Sequence, residues 1–234
     1  MTDRVSLLAL AWLPAAYLLG AIPTSYLVAR AVRGVDLREF GSKNLGATNL
    51  YRLLGWGGAV PVALFDVAKG AGPVLLWLLL FRTPAWWALV IGGAAVLGHV
   101  FSPFVRFRGG KGVATAAGVF LGFVPGALAA DAVVWIGLVV GTGYVSVGSV
   151  SAAVAFPILV GVLYPSRPAA LWAALPVAAF VIFNHRSNLR RLIAGTEARF
   201  GRRKRAAPDV GRTASDTSDA PPARSSRDIR GTAP

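Results

Sequence analysis

Long apolar runs alternate along this chain with short segments dense in glycine, amides and cations. The first run covers residues 5–32 and contains Pro14, Gly20 and Pro23. It outlasts the apolar core of a signal peptide, about 7–15 residues, and reads as a retained first helix. Further apolar runs cover 58–81, 84–104, 113–123, 127–141, 149–163 and 169–183. A bilayer-spanning helix takes about 20 apolar residues. The pattern predicts an all-α, polytopic integral membrane protein with about seven transmembrane helices. Several are short, 113–123 most of all, and cross partially or at a tilt.

Composition strengthens that picture. The 234 residues are 55% hydrophobic and 15% charged, against roughly 45–50% and about 25% in soluble domains. Mean hydropathy is +0.60. Cysteine is absent, which excludes disulfides, Cys-ligated metal and a thioester on the enzyme. Lys and Arg number 24 against 10 Asp and Glu, a formal charge of +14. Their placement orients the chain. The stretch 30–52 holds Arg30, Arg33, Arg38, Lys43 and Arg52, the stretch 106–111 holds three more, and twelve follow from Arg186 onward. With seven crossings, all of these fall on one side, opposite Arg4, Arg82 and Arg167. The positive-inside rule then predicts N-out/C-in.

Residues 1–200 read as the membrane-embedded part. Residues 201–234 are Arg, Ser, Asp, Pro and Ala with almost no large apolar side chain, and read as a disordered basic and polar cytoplasmic tail. The run Arg202, Arg203, Lys204, Arg205 suits two roles, contact with anionic lipid or a solvated stop after the last helix.

In this orientation three polar segments share one membrane face. In 40–52, Gly41 and Gly46 permit tight turns, Ser42, Asn44, Thr48 and Asn49 offer hydroxyls and amides, and Arg52 offers a planar cationic fork suited to phosphate. The same residues also suit capping and turn chemistry between two spans. In 98–115, Gly109, Gly110 and Gly112 bracket Lys111 just before an apolar helix. Backbone N–H groups and a helix N-terminus favour an anion there, with charge from Arg108 and Lys111. The pattern differs from the nucleotide P-loop. A basic loop on the inner face is the simpler alternative, but it needs no three glycines. In 184–197, His185 and Asn188 share a helix face, with Arg191 and Glu197 as anchors. A basic amphipathic helix on the lipid surface fits this segment equally well.

Within the spans, Asp66 and Lys69 are spaced for an ion pair, either structural or in contact with substrate. Asp131 has no evident partner in sequence. No His, Asp and Glu cluster has metal-ligand spacing, so no metal and no cofactor are expected. No Gly-x-Ser-x-Gly elbow occurs. Neither His99 nor His185 is followed by the Asp of acyl-CoA-dependent glycerolipid acyltransferases. The Asp-rich motif of CDP-alcohol phosphotransferases is missing as well. A cationic, amide-rich site poor in acids suits phosphorylated substrates. A transporter for an anionic metabolite is the competing class, favoured by interrupted helices and the Asp66–Lys69 pair. Against it, the polar motifs gather at one face and no internal repeat is evident.

The three segments resemble the bacterial acyl-phosphate:glycerol-3-phosphate acyltransferase (PlsY) family. Gly-Ser-x-Asn-x-Gly-Ala-Thr-Asn matches 41–49, with Arg52 following. Gly-His-x-Phe, then Phe-x-Gly-Gly-Lys-Gly-Val-Ala-Thr, matches 98–115. His-x-x-Asn-x-x-Arg-Leu-x-x-Gly-x-Glu matches 185–197. The likeness covers about 5–200 and leaves out the tail. Lys43 departs from it, standing where the family often has glycine, and either adds a cation near the substrate or meets a headgroup.

The resemblance implies transfer of a fatty acyl group from acyl phosphate to the 1-hydroxyl of sn-glycerol 3-phosphate, giving lysophosphatidate and phosphate. It implies long-chain acyl phosphate, glycerol 3-phosphate and membrane lipid as partners, no nucleic acid, and a site on the cytoplasmic side of the inner membrane. By motif match, Ser42, Arg52, His185 and Asn188 are catalytic. Asn44, Thr48, Asn49, Arg108, Gly109, Gly110, Lys111 and Thr115 bind substrate, with Arg108 to Lys111 on the glycerol-3-phosphate phosphate. Glu197 supports the site by pairing with an arginine. The general base is either His185 or a phosphate oxygen of a substrate.

Overall fold

Pro23, which lacks an N–H, divides the first apolar run into α1 (Thr2–Ala21) and α2 (Thr24–Arg33) in the computed structural model, which describes residues 2–81 and 83–201. The carbonyls freed at the break find donors. Ser102 Oγ donates to Ala21 O at 2.5 Å, and Lys69 Nζ to Ile22 O at 3.0 Å. Lys69 is itself paired with Asp66 at 2.7 Å, and both are buried. The intramembrane ion pair thus serves the fold: it braces the kink between the first two helices.

The chain continues through α3 (Ala47–Leu54), α4 (Trp56–Leu80), α5 (Ala85–Val100), a 3-10 turn (Pro103–Val105), α6 (Val113–Leu121), α7 (Pro125–Thr142), α8 (Val145–Leu163), α9 (Pro168–Asn184) and α10 (Arg186–Ile193). No strand occurs among the described residues. Five stretches are long and apolar enough to cross a membrane: Leu10–Arg33, Trp56–Leu80, Ala85–Val105, Pro125–Thr142 and Val145–Leu163. The pair α9 and α10, bent by 51°, makes a sixth if taken as one span. The seventh expected segment is α6, with 9 residues and so about 13–14 Å long. Short as it is, α6 leads from the Lys111 loop to the opposite end of the bundle. There Arg167 donates to the Phe123 carbonyl, and Gly126 N–H donates to the Tyr164 hydroxyl at 2.9 Å. Residues 202–234, expected as a tail, lie outside the described residues.

The main core joins α1, α4, α5, α6, α7, α8 and α9 around Trp77, Phe120, Ile91, Val74 and Val160. Small residues let α6 press against α4. A Cβ on Gly118 would sit 2.0 Å from Val67 O, and one on Gly70 would sit 2.1 Å from Thr115 O. A second, smaller cluster of Ala29, Leu37, Leu45, Leu50, Val62 and Val105 lies under the loop between α2 and α3 and anchors it. On the outside, Leu79, Val162 and Trp172 are at least 70% exposed, a surface that suits lipid rather than water.

Candidate active site

The three polar segments converge at one end of the bundle. The loop before α3 is shaped from within by Asn49. Its Oδ1 accepts from Ser42 N–H at 3.0 Å, and its Nδ2 donates toward Leu37, Phe40 and Asn44 carbonyls at 3.2, 2.9 and 3.0 Å. Gly41 is left-handed, with φ +58°, and a Cβ there would lie 2.3 Å from Asn49 Oδ1. This staple holds Ser42 and Asn44 toward the centre of the site, with exposed Lys43 at the cup wall.

The glycine-rich segment is fixed by backbone. Gly109 N–H donates to Val100 O at 2.9 Å and Gly110 N–H to His99 O at 3.1 Å. A Cβ on Gly109 would fall 2.0 Å from His99 O, and one on Gly110 would fall 2.0 Å from His99 Nε2. The loop therefore folds back against the end of α5, and its following residue, Lys111, reaches inward. Lys111 Nζ donates to Asn188 Oδ1.

Asn188 lies on the first turn of α10, and its Nδ2 donates to Glu197 Oε1 at 2.6 Å. Glu197 also accepts from Ser146 Oγ at 3.1 Å and from Arg191 Nε at 2.6 Å. His185, at the bend between α9 and α10, is buried. Its Nδ1 lies 2.8 Å from Val181 O. Because a carbonyl only accepts, Nδ1 carries the proton, and Nε2 is left as the free acceptor of the neutral ring. Arg52 Nη2 reaches Ala198 O at 3.4 Å, which brings the guanidinium to the same side.

Two cavities meet here. A polar cup of about 420 Å³ is lined by Ser42, Lys43, Asn44, Lys111, Asn184, Asn188 and the arginines Arg186, Arg190 and Arg191. An apolar groove of about 860 Å³ runs from its inner side between α4 and α7, past Ala117, Phe120, Trp135 and Ile136 to Phe156. Ser42, Asn44, Lys111 and Asn188 line both. Arg52, Thr48, His185 and Glu197 stand at the groove's polar end. The Asn184 amide Nδ2, in the cup wall, is buried and finds no partner among the described residues.

Charge in the cup is only partly balanced. Burial pulls the Lys111 ammonium down to about 8; Glu197 opposes the shift, and Arg191 and Arg52 add to it. Burial also lowers Arg52, offset in part by Glu197. Burial pushes the Glu197 carboxyl up, but hydrogen bonds from Asn188 and Arg191 and the charge of Arg191 outweigh it, so it sits below its usual range. A concentration of cations around one committed carboxylate is an anion site.

Five residues expected to bind substrate take other places in this structure. Arg108 is exposed and lines neither cavity. Gly109 and Gly110 have their N–H groups taken up by backbone carbonyls and place Lys111. Thr115 is fully buried where α6 crosses α4 at Gly70. Asn49 uses its whole amide inside the loop. Sequence reading missed Ser146 and Asn184. The turn before α8 carried no motif, although Phe200 N–H donates to Gly143 O at 2.7 Å and ties that turn to the segment after Glu197.

A family model for glycerol-3-phosphate acyltransferases matches residues 10–195. The chain belongs to the glycerol-3-phosphate acyltransferase family. It is 48% identical over 186 residues to the glycerol-3-phosphate acyltransferase of Geobacter sulfurreducens, covering 79% of this chain and 94% of that one. It is 47% identical over 192 residues to that of Trichlorobacter lovleyi, covering 81% and 96%. Its fold is similar to a crystal structure of PlsY, an integral membrane glycerol 3-phosphate acyltransferase, in the glycerol 3-phosphate form. The TM-score is 0.77 at 40% identity, with 82% of this chain and 96% of that chain covered. The lysophosphatidic acid form of PlsY gives a TM-score of 0.75 at 39% identity, covering 82% and 95%. This family member is thus an integral membrane acyltransferase of glycerol 3-phosphate, and its motif segments form one site.

Proposed function

We propose that this acyltransferase takes its acyl group from a long-chain acyl phosphate and delivers it to the 1-hydroxyl of sn-glycerol 3-phosphate. The products are lysophosphatidate and inorganic phosphate, and no metal or cofactor takes part. The observation that carries this reading is the shared lining of the two cavities by Ser42, Asn44, Lys111 and Asn188. A polar cup for phosphate opens directly into a groove for an aliphatic chain, so the acyl carbonyl and the glycerol hydroxyl meet at their boundary. The similar PlsY structures are a glycerol 3-phosphate form and a lysophosphatidic acid form, which supports glycerol 3-phosphate as acceptor and lysophosphatidate as product.

Acyl phosphate is a mixed anhydride with a good leaving group. The glycerol oxygen attacks the carbonyl carbon, the ester C–O bond forms, and the bond from that carbon to the phosphate oxygen breaks. The enzyme's task is to orient the hydroxyl and stabilise charge on the carbonyl oxygen and departing phosphate. Lys111 and Arg52 supply charge, while Ser42, Asn44 and Asn188 supply directed hydrogen bonds. Thr48 stands at the edge of the groove. Lys43 adds a cation at the cup wall. The hydroxyl proton passes to His185 Nε2 or to a substrate phosphate oxygen.

The chain is read as N-out/C-in in the bacterial inner membrane, with the cup on the cytoplasmic side. Glycerol 3-phosphate then enters from water and the acyl donor from the bilayer, between α4 and α7. The deciding assay uses purified protein in detergent with radiolabelled glycerol 3-phosphate and palmitoyl phosphate. Lysophosphatidate formed without any other protein is the expected result. Product from acyl-CoA or acyl carrier protein alone, and none from acyl phosphate, overturns the donor assignment.

A further inference from the structure

The α7 wall of the groove is built from one helix face: Leu128, Asp131, Ala132, Trp135, Ile136, Val139, Val140 and Gly143 recur at helical spacing. All are apolar or small except Asp131. Its Oδ1 is buried and finds no hydrogen-bond partner among the described residues. Trp135, one turn nearer the cup, has its own polar atom satisfied: Nε1 donates to Ser149 Oγ at 3.1 Å. An unpartnered carboxyl in the wall of an aliphatic groove is unexplained by the reaction.

Its depth can be read from the register of α7 against α8. Ser146, at the start of α8, bonds the same Glu197 carboxylate that holds Asn188, so it is level with the cup. A Cβ on Gly148 would touch Val139 Cγ2 at 2.6 Å and Trp135 O at 3.0 Å. Two residues nearer the cup, Ser146 is level with Val140 of α7. The two helices run antiparallel, so Phe156 is level with Leu128 and Asp131. Phe156 packs edge-on against Phe120 at 4.8 Å between ring centroids, and both rings line the groove. From Val140 to Asp131 the helix rises about 13–14 Å. That is close to half of a hydrocarbon core about 30 Å thick, which is the reach of one leaflet's acyl chain.

We propose that Asp131 is a specificity-determining residue that sets the length of acyl chain the groove accepts. The proposal rests on the reading of the groove as the acyl site. A chain that stops short leaves the carboxyl beside space that water can enter. A longer chain must cover it with methylenes and strip it of solvent with no donor in return, which is unfavourable. Chains are therefore accepted up to the level of Asp131 and discriminated against beyond it.

The test compares wild type with D131L and D131N, purified in the same detergent. The substrates are dodecanoyl, tetradecanoyl, hexadecanoyl and octadecanoyl phosphate, with glycerol 3-phosphate saturating. In D131L the ratio of kcat/KM for octadecanoyl to dodecanoyl phosphate is expected to rise about tenfold, equivalent to about 1.4 kcal/mol. In D131N, which keeps polar atoms at the site, the ratio rises less. The same length profile in D131L and wild type overturns the proposal. Thermal shift by lysophosphatidates of the same four lengths makes the comparison without turnover, and the unliganded transition reports whether each variant folds. If wild type uses no acyl phosphate, the donor reading fails, while the binding series still decides the role of Asp131. A selective gain for the long lysophosphatidates in D131L supports it, and a uniform change overturns it.

Discussion

The Lys111 ammonium donates to the side-chain carbonyl of Asn188, joining the glycine-rich loop to α10 across 77 residues of sequence. Lys111 is therefore both a charge at the cavity wall and a tie between two motifs. Burial lowers its pKa to about 8. Below that pH the free enzyme presents a cation to an incoming phosphate, and above it the cation is lost. The kcat/KM for glycerol 3-phosphate is expected to fall as pH rises through about 8. In K111R, whose guanidinium stays charged, the alkaline limb moves up, at a lower plateau because the planar fork does not replace a point donor. A pH–rate profile of both proteins checks this. An alkaline limb at the same pH in K111R excludes Lys111 as its source.

Glu197 is the hub behind Asn188. It accepts from Asn188, Ser146 and Arg191 at once, and its side chain is 6% exposed. E197A leaves the Asn188 amide without its acceptor in a buried place, at a cost of about 1–3 kcal/mol. The expected result is a lower Tm together with a kcat reduced at least tenfold. E197Q retains an oxygen for Asn188 and is expected to lose less of both. S146A removes one donor of three and is expected to be the mildest. Thermal unfolding and initial rates of the three variants test the order, and S146A falling below E197A would contradict it.

Much of this was legible in the sequence. Apolar run length marked the spans, and the shortness of α6 was visible as a run from 113 to 123. The motifs marked three segments that the fold brings to one end of the bundle. Within a motif, however, residue type does not say which side chain faces the ligand and which holds the loop. Asn44 and Asn49 are the same amide, yet one lines both cavities and the other is consumed by four backbone groups. Glycine in the 109–112 segment suggested N–H donors for an anion, whereas the Cβ-free surface is used for close packing on His99. Ser146 was silent because its partner Glu197 is 51 residues away, and no local pattern encodes that distance.

That packing gives the glycine prediction. In G109A the new methyl meets a backbone carbonyl, His99 O, at 2.0 Å, so the loop must move and carry Lys111 with it. In G110A it meets the His99 ring at the same distance. With Lys111 on the glycerol-3-phosphate phosphate, as the motif match implies, KM for glycerol 3-phosphate is expected to rise about tenfold or more in both, with a smaller change in KM for acyl phosphate. G93A, whose added methyl meets nothing within 4 Å, is the control and keeps wild-type constants. Steady-state kinetics with each substrate varied in turn makes the comparison. A rise confined to acyl phosphate would place Lys111 on the other phosphate.

His185 separates the two routes for the hydroxyl proton. Its Nδ1–H is committed to the Val181 carbonyl, which fixes the ring and aims Nε2 at the polar end of the groove. A positioned general base typically contributes about 10²–10⁴-fold. H185A is expected to lower kcat by a factor in that range, with little change in KM for glycerol 3-phosphate. H185N keeps a polar group without an imidazole base and is expected to recover only a small part. Single-turnover rates with preformed acyl phosphate isolate the chemical step. If H185A retains most of the wild-type rate, the proton goes to a substrate phosphate oxygen, and the imidazole serves only to pack the bend between α9 and α10.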